Sequence, residues 1–451
     1  MRRSRFLPLG ALMALAFVGC EATDGGSVTA YVGATVFDGA GRIIAPAVLL
    51  ESNGHIVGLG HRDSVAIPRG AGVVRVDDRW IIPGLVDGHA HAGESTAARY
   101  LSYGVTSVRH VGGNLESLSS LARRIASDSV PGPRLFLSGE SLTGPPPVWP
   151  GHIELRSPTD ARAAVGRLAT AGVSQIKLYT HTRRDVMEAV VQEARARGIP
   201  VTAHLGYVDA LTAAQLGVQA IEHLSGVVEA TVSDPSPFFA AHDRFPAGWM
   251  TFLRGWSRLD SASLDRTASR LAASGVVMVP TLVQSETYAR VLDTAYAASL
   301  DLSGVTDAER EAWNLPDLVR RYAITSGDAP VLTESRQRQD LFLRRFVAAG
   351  GQVVAGSDSP NQLLAPGASL LEELALLVRA GLAPSAALKS ATSAAASLLR
   401  ADSIGVLRPG AVADFVVLAA NPLDNIRALS AIEWVIARGR RHDPMHLRWG
   451  R

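Results

Sequence analysis

Two histidines one residue apart, His89 and His91, follow an apolar run that begins at Ile81. In an extended strand alternate side chains share a face, so both imidazoles point the same way and can bind one metal ion. The pair alone fits equally well with histidines that pack or face solvent just beyond a strand. The metal interpretation therefore depends on whether other ligands reach the same place.

Four later apolar runs each end in a residue that can bind metal. These residues are Lys177, His204, His223 and Asp358. The ordered set His-x-His, Lys, His, His, Asp resembles the amidohydrolase superfamily of metal-dependent hydrolases, in its prolidase- and imidazolonepropionase-like branch. The resemblance extends from Thr29 to Arg441.

The resemblance implies a centre of two divalent metal ions. One ion would be held by His89, His91 and Asp358, and the other by His204 and His223. Lys177 must change chemically, because an ammonium is repelled by two cations and a neutral amine cannot bridge them. In relatives with this lysine, CO₂ adds to the amine and gives a bridging carbamate; the alternative is a lysine paired with a carboxylate at the rim of the fold. Imidazole and carboxylate ligands suit zinc, with Co, Mn and Fe left open.

The implied reaction is attack by a metal-bridging hydroxide on an amide carbonyl, with Asp358 as general acid and base. Two residues are candidates for substrate binding. His152 lies in a Gly-His element that prolidase-like relatives carry after the third strand, and Tyr207 follows His204 by three positions. His110 stands where those relatives usually carry Asp, and we expect it to pack.

The predicted fold class is α/β: a TIM-like (β/α)₈ barrel with a small β-sandwich built from both chain ends. Short strand-like runs and the hairpin signal Asn53-Gly54 predict β structure near the amino end. Strand-like runs at 413–418 and 432–436 form the counterpart. The resemblance implies that residues 28–79 and 402–445 form one sandwich.

Between these segments, residues 80–401 alternate strand-like and helical runs, which predicts a parallel sheet with helical crossovers. The eight strands are expected near 81–86, 105–110, 134–138, 173–178, 200–204, 219–223, 276–281 and 352–357. Eight such units predict a closed barrel with its site at the carboxyl ends of the strands, where every candidate ligand falls. Two long insertions, at 224–275 and 282–350, are expected to shape access to that site. The first is rich in aromatic residues, for which packing and substrate contact both remain open.

Residues 1–20 resemble a bacterial lipoprotein-type signal peptide, with arginines ahead of an apolar stretch that ends at Cys20. Residues 21–27 would then be a linker. The alternative is an ordinary secretory signal with an incidental cysteine. The prediction is export to the bacterial cell envelope with a lipid anchor on Cys20. Because this is the sole cysteine, no internal disulfide can form.

Composition indicates an ordinary globular protein of 451 residues, 47% hydrophobic and 19% charged. The net charge is +2, and no dense Lys/Arg block occurs beyond the termini, so no nucleic-acid partner is predicted. The expected partner is a small-molecule amide or peptide substrate. The oligomeric state is left open.

The leading functional interpretation is hydrolysis of an amide bond in a dipeptide, an Xaa-Pro peptide or an N-acyl amino acid. The same centre could act on cyclic amides, lactones or carbamates. A mononuclear deaminase fits less well, because that branch lacks the lysine of the fourth strand. An inactive metal-holding envelope protein is the alternative of another class, and the presence of Asp358 in addition to the other ligands argues against it.

Overall fold

A computed structural model of the protein describes residues 28–449. The sequence predictions for residues 1–20, Cys20 and residues 21–27 lie outside the described residues. Within 28–449, no helix is both long and apolar enough to cross a membrane.

The strands of the described chain are, in order, β1 Thr29–Val32, β2 Thr35–Phe37, β3 Ile43–Ile44, β4 Ala47–Ser52, β5 His55–His61, β6 Gly72–Arg75, β7 Trp80–Pro83, β8 Leu85–Ala90, β9 Val105–His110, β10 Arg134–Leu137, β11 Leu142–Thr143, β12 Ile153–Glu154, β13 Ile176–Leu178, β14 Val201–Ala203, β15 Ala220–Glu222, β16 Val277–Val279, β17 Gln352–Val353, β18 Phe415–Leu418, β19 Ile432–Ala437 and β20 Arg440–His442.

The α-helices are α1 Glu94–Ser102, α2 Leu115–Ala126, α3 Pro158–Thr170, α4 Arg184–Ala196, α5 Ala210–Leu216, α6 Val227–Thr231, α7 Ser236–Ala241, α8 Phe245–Gly255, α9 Ser261–Ser274, α10 Leu282–Arg290, α11 Thr294–Ser299, α12 Asp307–Ala312, α13 Leu315–Arg321, α14 Asp328–Ala348, α15 Ala368–Arg379, α16 Pro384–Ser390, α17 Ser393–Leu398 and α18 Pro444–Trp449. Short 3₁₀ helices span Trp256–Arg258 and Ile426–Ser430.

The two ends of the chain meet in a pair of β-sheets. One has the order β5-β4-β1-β6, and the other has the order β20-β19-β18-β7-β2-β3. The predicted hairpin turn is present, with φ of 51° at Asn53 and 78° at Gly54. Tyr31 and Phe415, one from each sheet, pack edge to face with ring centroids 5.0 Å apart. Side chains of both sheets thus share one hydrophobic core.

The first predicted barrel strand, 81–86, is in fact two strands with different partners. β7 pairs with β2 and β18 in the terminal sheet, whereas β8 pairs with β9 in the central one. The change occurs at Gly84, whose N–H donates to Asp414 O at 2.9 Å while Leu85 N donates to Gly104 O at 2.8 Å. A Cβ at Gly84 would lie 2.2 Å from Thr106 Oγ1, so this crossing needs a glycine.

The central strands form two parallel sheets, β10-β9-β8 and β12-β11-β13-β14-β15-β16-β17. Hydrogen bonds join these sheets at two places. Asp358 N donates to His89 O at 2.7 Å, and Ser174 N donates to Leu137 O at 2.8 Å. The side chains on β8, β9 and β13–β16 are buried throughout. Parallel strands that are buried on both faces are typically rich in apolar residues.

The eighth predicted strand, 352–357, is shorter than expected, because β17 ends at Val353. Beyond it, Ser357 N donates both to the buried Asp87 carboxylate at 3.0 Å and to His89 O of β8 at 3.1 Å. The backbone then turns through Asp358, which has φ of 56°. The chain therefore changes direction at the residue that the sequence marks as a metal ligand.

The two insertions fold into helices that cover one end of the central sheets. The first contains α6–α9 and the second contains α10–α14. Trp249, Phe252 and Trp256 of the first insertion are buried in the main core, so packing explains most of its aromatic content. Trp249 also reaches the cavity described next.

Candidate active site

A cavity of about 770 Å³ lies where the central strands end. Its wall contains all six predicted metal ligands, which are His89, His91, Lys177, His204, His223 and Asp358. These residues come from positions far apart in the sequence, and the parallel strands bring them to one place. The remaining wall comes largely from the loops after β9 and β11 and from the second insertion.

Asp358 lies at the centre of the first group of ligands. Its Oδ1 is 3.2 Å from His89 Nε2 and 3.1 Å from His91 Nε2. Ligand atoms of His89, His223 and Asp358 all lie within 4.8 Å of one another. Burial alone would raise the pKa of Asp358, but the facing imidazoles hold it well below 3.8. The carboxylate is therefore anionic at neutral pH.

His204 and His223 form the second group, with ring centroids 4.6 Å apart. His223 Nδ1 lies 2.7 Å from Thr281 Oγ1, which orients the ring and leaves Nε2 available. Burial, followed by the repulsion of nearby cationic groups, lowers the pKa of both histidines well below 6.5. Neutral imidazoles are the form that binds metal.

Lys177 is 1% exposed, and its Nζ has no hydrogen-bond partner among residues 28–449. Burial is the main reason that its pKa falls to about 8, with Glu222 opposing the shift and Arg109 adding to it. The ion pair at a rim, the alternative for this lysine, is therefore not formed. A buried amine with a lowered pKa has the neutral fraction that reaction with CO₂ requires.

The donor set fits divalent metal ions. His204 has no hydrogen-bond partner within the described chain on either ring nitrogen, although the residue is 4% exposed. Buried polar atoms without partners are costly, and a ligand that engaged them would remove that cost. Imidazoles, a carboxylate and a reactive amine around one cavity match the chemistry of zinc or a similar ion.

Residues 80–441, which make up most of the chain, match the amidohydrolase family. The chain belongs to this family. It is an enzyme, a hydrolase that acts on carbon–nitrogen bonds.

Relatives of this amidohydrolase match along nearly their full length. An uncharacterized protein of Mycobacterium tuberculosis (strain ATCC 25618 / H37Rv) is 26% identical over 433 residues, covering 86% of this chain and 96% of that protein. The structure of bottromycin amidohydrolase is similar with a TM-score of 0.73 at 24% identity, over 94% of this chain and 89% of that one. The structure of a Xaa-Pro dipeptidase with bound methionine in its active site has a TM-score of 0.68 at 19% identity, and the match covers 92% of this chain and 100% of that one. The structural likenesses show that the fold is shared.

Beneath the ligands of the amidohydrolase lies a buried ionic network that the sequence analysis missed. Glu222 Oε2 is 2.6 Å from His89 Nδ1, and its Oε1 accepts from Arg109 Nη1 at 2.9 Å and from the Thr202 hydroxyl. Burial would raise the pKa of Glu222, but Arg109, Lys177 and His89 hold it well below 4.5. The signal in the sequence was a pair of opposite charges inside strands that are expected to be buried.

Glu222 orients His89 by binding its Nδ1, so that Nε2 faces Asp358. Partners of this kind typically contribute 10- to 100-fold to metal affinity. We expect Glu222→Gln to weaken binding of divalent metal by about that factor, because the neutral amide attracts neither His89 nor Arg109 as strongly. Competition with a chromogenic chelator measures the change.

The matched control for this prediction is Glu140→Gln. Glu140 also lines the cavity, but it accepts from Leu115 N at 3.1 Å and contacts no candidate ligand. This variant should keep the affinity of the unaltered protein. Equal affinity in the Glu222 variant would show that His89 is oriented by other groups.

A second buried carboxylate supports the loop that carries Asp358. Asp87 accepts from Ser357 Oγ at 2.5 Å and from His89 N at 3.2 Å, and Ser357 Oγ lies 2.7 Å from Ser359 Oγ. His223 and Asp358 both adopt left-handed backbone conformations, with φ of 61° and 56°. Such conformations are strained for residues other than glycine and are typical of functional sites.

The two substrate candidates are placed differently. His152 lies on the cavity wall with its ring 4.8 Å from that of Tyr179, and burial lowers its pKa to about 4. Tyr207 is not among the described residues that line the cavity. Its hydroxyl donates to Asp243 at 3.0 Å, and its ring stacks on His181. His110, expected to pack, is 4% exposed with its ring 5.7 Å from that of His91.

Proposed function

We propose that the protein is a binuclear metal-dependent amidohydrolase that cleaves an amide bond of a dipeptide, an Xaa-Pro peptide or an N-acyl amino acid. The observation that supports this most strongly is Lys177, a buried amine without a partner among the described residues, on the same wall as four histidines and Asp358. A single ion held by three of these ligands would leave Lys177 without a role.

In the proposed centre, His89, His91 and Asp358 would hold one ion, and His204 and His223 would hold the other. Lys177 would carry an anionic carbamate as a further ligand: its neutral amine adds to CO₂, the N–C bond forms as one C=O π bond opens, and the proton on nitrogen passes to solvent water. When bound, the ions supply Lewis acidity, which lowers the pKa of water and polarises the substrate carbonyl.

Asp358 supplies proton transfer. Its Oδ1 faces His89 and His91, and its low pKa keeps it ready to accept a proton from the attacking water. The same carboxyl group then donates the proton to the departing nitrogen, so that an amine leaves rather than an amide anion.

The size of the cavity supports a small substrate. A volume of about 770 Å³ lies within the range for small-molecule sites, roughly 300 to 1,000 Å³. His152 is the proposed contact for a polar group of the substrate, since it lies on the wall and its Nδ1 is buried without a partner in the described structure. The solved structure of a prolidase in complex with N-methylphosphonate-L-proline is similar to this chain, with a TM-score of 0.67 at 22% identity.

The domain organisation that goes with this function is a closed (β/α)₈ barrel carrying the centre and a β-sandwich made from both ends of the chain. The proposed barrel occupies residues 80–401 and the sandwich occupies 28–79 and 402–445. Pairing of β7 with β2 and β18 moves the first boundary to Gly84. The proposed role of the sandwich is structural.

We place the enzyme in the bacterial cell envelope, anchored by lipid on Cys20. The support is the arginine-led apolar stretch that ends at the sole cysteine of the chain. Membrane fractions should contain the native protein, whereas Cys20→Ser should lack the lipid and remain unprocessed at this position. Immunoblotting of fractions, with mass spectrometry of the mature end, measures both. The same distribution and the same mature end in the two proteins would contradict the anchor.

Metal analysis combined with turnover tests the proposed function. Elemental analysis should find close to two divalent ions per chain after reconstitution with bicarbonate. The loaded protein should hydrolyse members of a panel of dipeptides, Xaa-Pro peptides and N-acyl amino acids, and removal of the metal should abolish that activity. One ion at most after reconstitution would contradict the binuclear centre, and turnover of lactones with no amide cleaved would contradict the substrate class.

A further inference from the structure

Three aromatic side chains form a cluster on the cavity wall for which the proposed mechanism has no role. They belong to Trp149, Tyr179 and Phe245, all of which line the cavity. The ring centroid of Phe245 lies 5.8 Å from that of Trp149 and 5.7 Å from that of Tyr179. The three residues come from separate parts of the chain, which are the loop after β11, the end of β13 and the start of α8. We call them the aromatic cluster.

The aromatic cluster presents open apolar surface to the cavity. Tyr179 follows Lys177 by two positions at the end of β13, so the two side chains point to the same face, and both line the cavity. Trp149 is 38% exposed, although tryptophan is usually highly buried. Its indole is therefore apolar surface on the cavity wall that a bound molecule can cover.

The rings of the aromatic cluster are held in place by the protein itself. Trp149 Nε1 donates to the Tyr179 hydroxyl at 3.0 Å, and the Tyr179 ring packs edge to face against His152 at 4.8 Å. Phe245 is 9% exposed and packs in the main hydrophobic core. A surface that is positioned in this way loses little conformational entropy when a ligand binds.

The aromatic cluster adjoins the second group of ligands. The ring centroid of His204 lies 4.7 Å from that of Tyr179 and 5.8 Å from that of Phe245. Asp358 belongs to the first group: its Oδ1 faces the two histidines of that group, and its Oδ2 accepts from Gln284 Nε2. The leaving nitrogen must lie beside Asp358 to receive its proton. The acyl part of the substrate then extends away from that carboxylate, toward His204 and the aromatic cluster.

Resting on the proposed function, we propose that the aromatic cluster binds an aromatic ring in the acyl part of the substrate. The preferred substrates are then dipeptides with an aromatic first residue and amino acids that carry an arylacyl group. An aliphatic group of similar size gains burial on this wall but lacks the edge-to-face contacts that a ring makes with other rings. The first residue of an Xaa-Pro peptide can carry this ring, so proline remains compatible as the leaving amine.

A substrate series with a constant leaving amine tests this proposal on the metal-loaded full chain. The amine is the one that is released fastest in the functional panel, and the acyl residue is phenylalanine, cyclohexylalanine or alanine. We expect kcat/KM for phenylalanine to exceed that for alanine by roughly 10-fold or more, the scale of burying one aromatic side chain. It should exceed that for cyclohexylalanine by roughly 3-fold. Equal values for phenylalanine and either other residue would overturn the proposal, as would a preference for a ring on the amine side alone.

Replacement of Trp149 tests whether the aromatic cluster is responsible for the preference. Trp149→Leu should lower the phenylalanine-to-alanine ratio of kcat/KM by roughly 3-fold or more, and Trp149→Phe, which retains a ring, should restore part of it. Trp449→Leu is the matched control, because Trp449 is 50% exposed and is not among the described residues that line the cavity. This control should keep the ratio of the unaltered protein. An unchanged ratio in Trp149→Leu would overturn the assignment to the aromatic cluster.

Binding of uncleaved analogues separates this proposal from the proposed function. Two phosphonamidate analogues of a dipeptide differ only in carrying the side chain of phenylalanine or of alanine on the acyl side, and calorimetry gives their Kd values on the loaded protein. The phenylalanine analogue should bind roughly 10-fold more tightly or better. Cleavage of the phenylalanine and alanine substrates with equal efficiency would retain the proposed function and overturn the role of the aromatic cluster. If no amide is cleaved, the proposed function fails, and the two Kd values alone decide on the aromatic cluster.

Discussion

Replacing Lys177 by alanine should reduce kcat/KM by roughly 10³-fold or more, because loss of the bridging carbamate removes several kcal/mol of metal-derived charge stabilisation. Added short-chain carboxylic acids should restore part of the activity by occupying the space of the carbamate. The measurement is turnover at saturating metal, with and without acetate or propionate.

The chain provides a matched control for this prediction, since it contains two lysines, Lys177 and Lys389. Lys389 is half-buried in α16 and is not part of the cavity wall described above. Lys389→Ala should therefore keep its activity and should not respond to carboxylic acids. Unchanged activity in Lys177→Ala would contradict the bridging role.

Replacing Asp358 by asparagine should lower kcat by roughly 10²-fold or more, the usual scale for losing general acid–base catalysis. Asparagine keeps one oxygen for the metal, so much of the metal should remain bound. The low pKa of Asp358 means that the carboxylate is anionic at neutral pH, and asparagine cannot replace it as proton acceptor. Steady-state kinetics together with elemental analysis of the same preparation measures both properties.

Asp317→Asn is the control for the Asp358 variant. Asp317 also lines the cavity, but it pairs with Arg320 and with Arg321 rather than with a candidate ligand. Its variant should keep most of the turnover rate. Near-native kcat with full metal content in Asp358→Asn would show that another residue transfers the proton. His152, on the same wall, would then be the first residue to replace.

The six candidate ligands could be predicted because each ends a buried apolar run, and buried parallel strands are the elements that sequence patterns mark most clearly. Their carboxyl ends meet in space, so an ordered list of ligands predicted one cavity. The supporting contacts could not be predicted in this way. Arg109 and Glu222 are 113 positions apart, and only the arrangement of neighbouring strands shows that they touch.

The boundary at Gly84 and the contact between Gln284 and Asp358 escaped the sequence analysis for different reasons. Residues 81–86 form one continuous apolar run across the end of β7 and the start of β8, and hydrophobicity does not reveal that hydrogen-bond partners change within it. Gln284 lies in α10, and glutamine side chains mostly face solvent. Its direction toward Asp358 follows from the turn at Thr281, which has no distinctive sequence signal.

The most direct test of the central claim is ¹³C NMR of the protein loaded with zinc in ¹³C-labelled bicarbonate. The account predicts one carbamate resonance, accompanied by close to two zinc ions per chain. The resonance should be present in Lys389→Ala and absent in Lys177→Ala. A fully active protein that binds zinc and shows no carbamate resonance, or one that retains the resonance without Lys177, would contradict the binuclear centre proposed here.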